Sequence, residues 1–269
     1  MRVWIPMGIL VIWFAMAVLG PFAGLHPNHI ELTRIIEAPG SDAWLGYDDL
    51  GRPLWDRVVA GAQTSFFVAV WVVTLSFVIG TLIGTVSGYL GGWWDHIIVR
   101  IIDIFLAFPG ILLAIAMAGL MGPGIDNVVI ALGTVGWVGF ARLARAQVLT
   151  VKHREHVQAA IALGTSRRRI IARHLLPLIM APLIVEASFA VAGVIIGEAG
   201  LSFLGLGVQP PEASWGNMIR DGARYMLVAP HMVLVPGVAL MLVVLSVNLL
   251  GDSLRDRFDV RTIARTAFR

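Results

Sequence analysis

Three acidic side chains interrupt the long apolar runs of this 269-residue chain: Asp103, Glu186 and Glu198. A carboxylate among lipid tails must be paired, protonated or wetted, so each marks a candidate functional position. Asp103 lies about 9 Å along its apolar run, counted from Ile97 at 1.5 Å per residue. Arg100 stands three residues earlier on the same helix face, which predicts a local ion pair near the membrane surface. The other reading of Asp103 places it on a solute path. Glu186 falls in the middle of its run and shares a helical face with Ala190, Gly193 and Gly197. That small-residue face either packs a neighbouring helix or lines a path. Glu198 stands at the outer end of the same run; it is a further path candidate, otherwise expected to be solvated or to cap a helix.

Other chemistries are poorly supplied. Cysteine is absent, which excludes disulfides, thiolate metal sites and a cysteine nucleophile. The one lysine, Lys152, follows Val151, so no phosphate-cradling Gly-x-x-x-x-Gly-Lys-Ser/Thr loop exists. His153 and His156 flank Glu155, but the arginines around them disfavour a metal ion. Gly84-Thr85-Val86-Ser87-Gly88 lacks the Gly-x-Ser-x-Gly spacing of a hydrolase elbow. The chain is therefore expected not to be an enzyme, and no metal or cofactor is expected on it.

The elements that must position these residues are membrane helices. Hydrophobic residues make up 58% of the chain and charged residues 14%, with a mean hydropathy of +0.83. A soluble fold of this size could not hide so much apolar surface. Six runs are long enough to cross a bilayer of about 30 Å: residues 3–22, 66–89, 97–120, 127–146, 177–196 and 232–250. Leu19-Gly20-Pro21 is a poor cleavage site, so the first run is expected to stay attached. Gly80, Gly84 and Gly88 recur every four residues and predict a close helix–helix approach, as do Gly133, Gly136 and Gly139. Neither polar stretch between runs, residues 23–65 and 197–231, reads as a separate domain.

Six runs put both termini on one side. That side carries 15 of the 20 basic residues, among them Arg2, Arg142, Arg167, Arg168, Arg169, Arg173, Arg255, Arg261, Arg265 and Arg269. Most acids, including Glu31, Asp42, Asp48, Asp49 and Glu212, fall opposite. The excess of positive charge predicts cytoplasmic termini in a multi-pass membrane protein. The basic balance is thereby explained by topology, and nucleic acid is not needed as a partner.

The segment after the fourth run carries the sharpest signal. Residues 154–163 have helix-forming composition with apolar positions at Val157, Ala160, Ile161 and Ala162. Gly164-Thr165-Ser166 then reads as a helix stop followed by an N-cap, and a second helix runs to Pro177. The segment is predicted to be helix, glycine turn, helix on the cytoplasmic face.

This segment resembles the EAA loop of ABC importer permeases: Glu-Ala-Ala, three residues, Gly, nine residues, Ile-x-Leu-Pro. Here it reads Gln158-Ala159-Ala160, Gly164 and His174-Leu175-Leu176-Pro177, with Gln158 in place of Glu and His174 in place of Ile. Further stretches resemble the C-type subunits of dipeptide, oligopeptide and nickel permeases: Leu45-Gly46-Tyr47-Asp48-Asp49-Leu50-Gly51-Arg52, the run from Ala199 to Pro211 with Ser214-Trp215-Gly216, and Asn248 to Asp256. The resemblance implies an all-α type I ABC importer permease fold with six transmembrane helices, five forming the core and the first lying outside. It implies that Gln158, Ala159, Ala160, Gly164, Thr165, Ser166 and Arg167 belong to the coupling region that docks on an ATPase. Arg167 to Arg169 would anchor the adjoining turn.

The implied partners are a second, homologous permease chain, two ABC ATPase subunits that bind ATP and magnesium, a periplasmic or lipid-anchored substrate-binding protein, and the lipid bilayer. The implied division is residues 1–61 as first helix and periplasmic segment, 62–251 as transmembrane domain with coupling helices at about 152–176, and 252–269 as cytoplasmic tail. The location implied is the bacterial inner membrane. The substrate is expected to be a di- or oligopeptide. Nickel is the alternative, but His26, His29, His96, His153, His156, His174 and His231 all fall in expected loops or at run ends, where no mid-membrane imidazole serves a metal. An ion-coupled secondary transporter, the rival class, would show two related halves with broken helices, and no such halves are seen.

Overall fold

The computed structural model describes residues 3–41 and 43–258. Arg2, Asp42, Arg261, Arg265, Arg269 and most of the 252–269 tail lie outside the described residues. Ten α-helices are seen among the described residues: α1 (Trp4–Leu19), α2 (Leu54–Leu90), α3 (Gly92–Leu106), α4 (Gly110–Met121), α5 (Ile125–Val151), α6 (Glu155–Ala162), α7 (Arg167–Ile170), α8 (Leu176–Phe203), α9 (Trp215–Ala223) and α10 (His231–Phe258). A π-helical turn, Ile171–Leu175, joins α7 to α8. Five helices or continuous helical runs are long and apolar enough to span a membrane, and α3 with α4 make a sixth, bent span.

That bend corrects the sequence reading, which expected one continuous helix over 97–120. The axes of α3 and α4 meet at 83°. Pro109 is the cause: it disfavours helical backbone at Phe108 and has no N–H to donate. Hydropathy averaged along the run does not register a proline.

The central pair is α2 against α5. A Cβ built on Gly80 would lie 2.4 Å from the Trp137 carbonyl oxygen, one on Gly84 2.1 Å from that of Ala141, and one on Gly88 3.0 Å from that of Arg145. Two stripes of period four thus meet backbone to backbone, as the glycine spacing of α2 predicted. The second glycine set behaves differently. Gly136 faces Ser76 of α2 and Gly139 faces Glu186 of α8, but a Cβ on Gly133 would touch nothing within 4 Å.

At about 55 Å (37 residues at 1.5 Å each), α2 is far longer than a bilayer is thick. It starts twelve residues before the expected span, and its extra turns pack under α9 and α10. Trp215 is buried there and donates its indole N–H to the Val58 carbonyl at 3.0 Å. Leu54, Val58, Met218, Met232 and Val243 fill the surrounding core. The first helix lies outside, against α2 and α10, with Trp13 edge-on to Phe66 at 5.5 Å. A second core, of Phe140, Val148, Val157, Ile170, Leu175 and Ile179, joins α5 and α8 to α6 at the arginine-rich end.

Candidate functional site: the coupling turn and the membrane carboxylates

The segment after α5 folds as helix, glycine turn, helix, as its sequence predicts, but the second helix does not end at Pro177. Instead α7, the π-helical turn and α8 form one helical run from Arg167 to Phe203, because Pro177 falls in the first turn of α8, where its missing N–H is tolerated. Val157 is fully buried in a cluster with Val148, Val151, Ile170 and Leu175, and Ala160 is nearly buried. They fix α6 on the end of the bundle. Gly164 ends α6 with φ +75°. Its N–H donates to the Ile161 carbonyl at 2.9 Å, and the Thr165 N–H reaches back to Ala160 at 3.0 Å. Those two bonds make a Schellman cap, which requires a left-handed residue at the glycine position. Ser166 stands at the N-cap of α7 in extended backbone, but its hydroxyl makes no capping bond.

The outer surface of this turn is apolar for an exposed feature. Ala159 and Ile161 are exposed, and Leu163 is 86% exposed. Gln158 is exposed as well, and its amide donates to the Lys152 carbonyl at 2.8 Å. A glutamate could not donate that bond. Arg167, Arg168 and Arg169 are all exposed and continue the surface with positive charge. The rings of His156 on α6 and His174 in the π-helical turn lie 6.5 Å apart.

The three membrane carboxylates have three different environments. Asp103 is exposed on α3, and no ion pair joins it to Arg100 among the described residues, contrary to expectation. Both side chains extend from an open face of the helix, so neither shields the other from its surroundings. Glu186 is half-buried and turned toward Gly139 of α5, where a Cβ would lie 3.6 Å from its Oε1. Its small-residue face does pack a neighbour in part, since Gly197 lies against Leu132 of α5.

Glu198 is neither solvated nor at a helix end. It is 1% exposed, because α8 continues to Phe203 instead of ending near Ile196. The Ser202 hydroxyl donates to its Oε1 at 2.7 Å, and the Ser65 hydroxyl of α2 donates to its Oε2 at 3.2 Å. Four residues separate Glu198 from Ser202, a spacing that could have suggested a bond. Ser65 is 133 residues away and gave no such signal.

Two further charged groups were not read as sites. Asp48 accepts from the Leu50 and Arg52 backbone at 2.9 Å each and from the Arg52 guanidinium at 2.7 Å, while Arg57 approaches it at 3.3 Å. Arg57, 2% exposed, also donates to the Pro27 and Pro211 carbonyls. This buried cluster pins the segment before α2 to the loop before α9. Burial, and then the neighbouring Asp48 charge, push the Asp49 carboxyl up from its ordinary value. At the arginine-rich end Arg145 of α5 makes a two-bond fork with Asp95 of α3, at 2.6 and 2.7 Å.

Comparison with known proteins assigns this architecture. Residues 80–264 match the family described as binding-protein-dependent transport system inner membrane component. The glutathione transport system permease protein GsiD of Pectobacterium atrosepticum is 42% identical over 232 residues, covering 86% of this chain and 77% of the relative. The dipeptide transport system permease protein DppC of Alkalihalophilus pseudofirmus is 43% identical over 224 residues, covering 83% and 74%. The fold resembles a chain of the inward-facing MetNI methionine ABC transporter, with a TM-score of 0.63 at 18% identity over 76% of this chain and 97% of that one. Five long apolar helices and a sixth bent span, the close-packed α2–α5 pair and the family match agree: the chain is a multi-pass inner-membrane permease with the type I importer fold, a member of the binding-protein-dependent transport system inner membrane component family.

Proposed function

We propose that the chain is half of the translocation path of an ATP-driven importer for di- and oligopeptides. The observation that carries this reading is the α6–Gly164–α7 turn: a capped helix seated on the bundle core by Val157, presenting Ala159, Ile161 and Leu163 outward. An apolar knob on the arginine-rich end suits a cleft on another protein. Two partner ATPases would supply that cleft, along with bound ATP and magnesium, and this chain would bind neither. A second, homologous permease would complete the path, and a periplasmic or lipid-anchored binding protein would deliver the solute. The chain itself catalyses nothing in this scheme. Both termini are placed in the cytoplasm on the excess of positive charge that the sequence carries on their side. Residues 62–251 form the working domain, although α2 crosses residue 61 and α10 crosses residue 251 without a break.

The peptide reading is supported by the two relatives, named for glutathione and for dipeptides. Asp103 and Glu186 are the path candidates, since neither is enclosed within this chain. The test is reconstitution of the chain with its partner permease, ATPases and binding protein in proteoliposomes. Dipeptide stimulates ATP hydrolysis and enters the vesicles on the proposed reading. Stimulation by nickel without stimulation by peptide overturns the substrate, and uptake driven by a proton gradient without ATP overturns the class.

A further inference from the structure

We infer that Lys152, Asp95 and Arg145 are positioning residues for transport, a polar linkage that carries displacement of α6 to the starts and ends of three membrane helices; this rests on the coupling role proposed above for α6.

The linkage can be followed atom by atom. Lys152 directly follows α5, and its ammonium donates to the Gly88 carbonyl in the last turn of α2 at 3.0 Å. That carbonyl is one of the four that a helix end leaves without an intrahelical partner, and a cation there also suits the helix dipole. Gln158 of α6 donates to the backbone carbonyl of the same Lys152. Beside Gly88, the Ser87 hydroxyl donates to Asp95 Oδ1 at 2.6 Å. Asp95 in the first turn of α3 accepts the fork from Arg145. Arg145 stands seven residues before Lys152, two turns along the same face of α5. The chain of contacts therefore closes on itself: α6, the end of α5, the end of α2, the start of α3, and α5 again.

Its position distinguishes it from ordinary packing. Apolar contacts already hold α6 to α5 and α8 through Val157, and those contacts can slide. A two-bond guanidinium–carboxylate fork fixes both distance and orientation. The Asp95–Arg145 fork is the one ion pair made by α3 among the described residues. It anchors the base of the helix that carries Arg100 and Asp103 and ends at the Pro109 bend. A tilt of α6 acts on Lys152, and through Ser87, Asp95 and Arg145 it sets the angle at which α3 enters the bundle. Gly88 keeps the joint tight, because its Cβ position lies 3.0 Å from the Arg145 carbonyl oxygen.

The experiment uses the complete transporter in proteoliposomes, with ATP hydrolysis and peptide uptake measured on the same preparation. Lys152→Met keeps the stem and removes the donor. Asp95→Asn and Arg145→Lys each weaken the fork. In each variant the complex is expected to assemble and hydrolyse ATP, with peptide delivered per ATP falling about tenfold, inside the usual range of coupling between sites. Lys152→Arg, which still donates, is expected to keep the wild-type ratio. Wild-type ratios in all three damaging variants overturn the inference. So does loss of complex yield, hydrolysis and uptake together, with no rescue by Lys152→Arg, since that marks mere scaffolding. A wild-type complex that shows no ATP-dependent uptake refutes instead the importer reading on which the inference rests, and removes the inference with it.

Discussion

Gly84 and Ala141 meet so closely that a methyl group on Gly84 would sit 2.1 Å from the Ala141 carbonyl oxygen and 2.8 Å from its carbonyl carbon. The obstacle is backbone, which cannot swing aside as a side chain would. Gly84→Ala is therefore expected to push α2 off α5, at a cost at or above the usual 1–3 kcal/mol of overpacking. Gly133→Ala, whose added methyl meets nothing within 4 Å, is expected to be silent or slightly stabilising. Thermal unfolding of the detergent-purified complex, followed by size-exclusion fluorescence, compares the two. Equal stability of both variants would show that the glycine stripe does not set the helix spacing.

A different test concerns Glu198 and its hydroxyls. Truncation leaves Ser65 and Ser202 buried without their acceptor, and each such orphan costs about 1–3 kcal/mol. Glu198→Ala is expected to lower the unfolding temperature of the complex measurably. Glu198→Gln keeps a carbonyl acceptor of the same length and is expected to recover much of the loss. An alanine variant as stable as wild type would mean that water fills the gap and the bonds add nothing.

What the sequence revealed and what it hid divide along a physical line. Local signals were legible: the period-four glycines at 80, 84 and 88, the apolar runs, and the Gly164 stop between two helices. Each depends on residues within a turn or two of one another. The buried Glu198 and the Asp95–Arg145 fork were hidden, because their partners stand 133 and 50 residues away. The Pro109 bend was visible in principle, but averaged hydropathy passes over a single proline that interrupts an otherwise apolar run. Arg100 and Asp103 show the converse error. Their spacing permits a pair, yet spacing on an exposed face does not compel one.

Orientation can be read by chemistry, because the chain has no cysteine of its own. Single cysteines at Ser41, Leu227 and Ser166 would be exposed to an impermeant thiol reagent in intact cells. All three positions are exposed, Leu227 completely. Ser214 is fully buried and Thr262 lies outside the described residues, so neither is a useful probe. Labelling is expected at Ser41→Cys and Leu227→Cys, and at Ser166→Cys only after permeabilisation. Labelling of Ser166→Cys in intact cells would reverse the topology.

Gly164 offers a test of the turn apart from packing. Nothing lies within 4 Å of a Cβ placed there, so any effect must come from the backbone at φ +75°. A β-branched residue is strongly disfavoured in that region, whereas asparagine tolerates it. Gly164→Val is expected to insert normally but to lose most ATPase recovered on copurification. Gly164→Asn is expected to keep most of it. Full recovery with valine would remove the turn from the docking surface.

Glu186 separates a path residue from a packing residue. Its side chain is half-buried, level with Gly139 in the middle third of α5, and no hydrogen bond to it is found among the described residues. Lipid exposure of such a carboxylate is costly, so it must be met by a second chain, wetted by a path or protonated. Glu186→Gln preserves shape and removes the charge. If the path is wetted there, uptake rate or preference among charged dipeptides is expected to change severalfold while the complex assembles at wild-type yield. If a partner chain pairs with it, assembly is expected to fall along with uptake, and a compensating change on that chain would be needed to restore both. Uptake assays with acidic, neutral and basic dipeptides distinguish these outcomes, because a charge on the path acts differently on each substrate and a structural contact does not. A variant indistinguishable from wild type in yield, rate and preference would place Glu186 off the path.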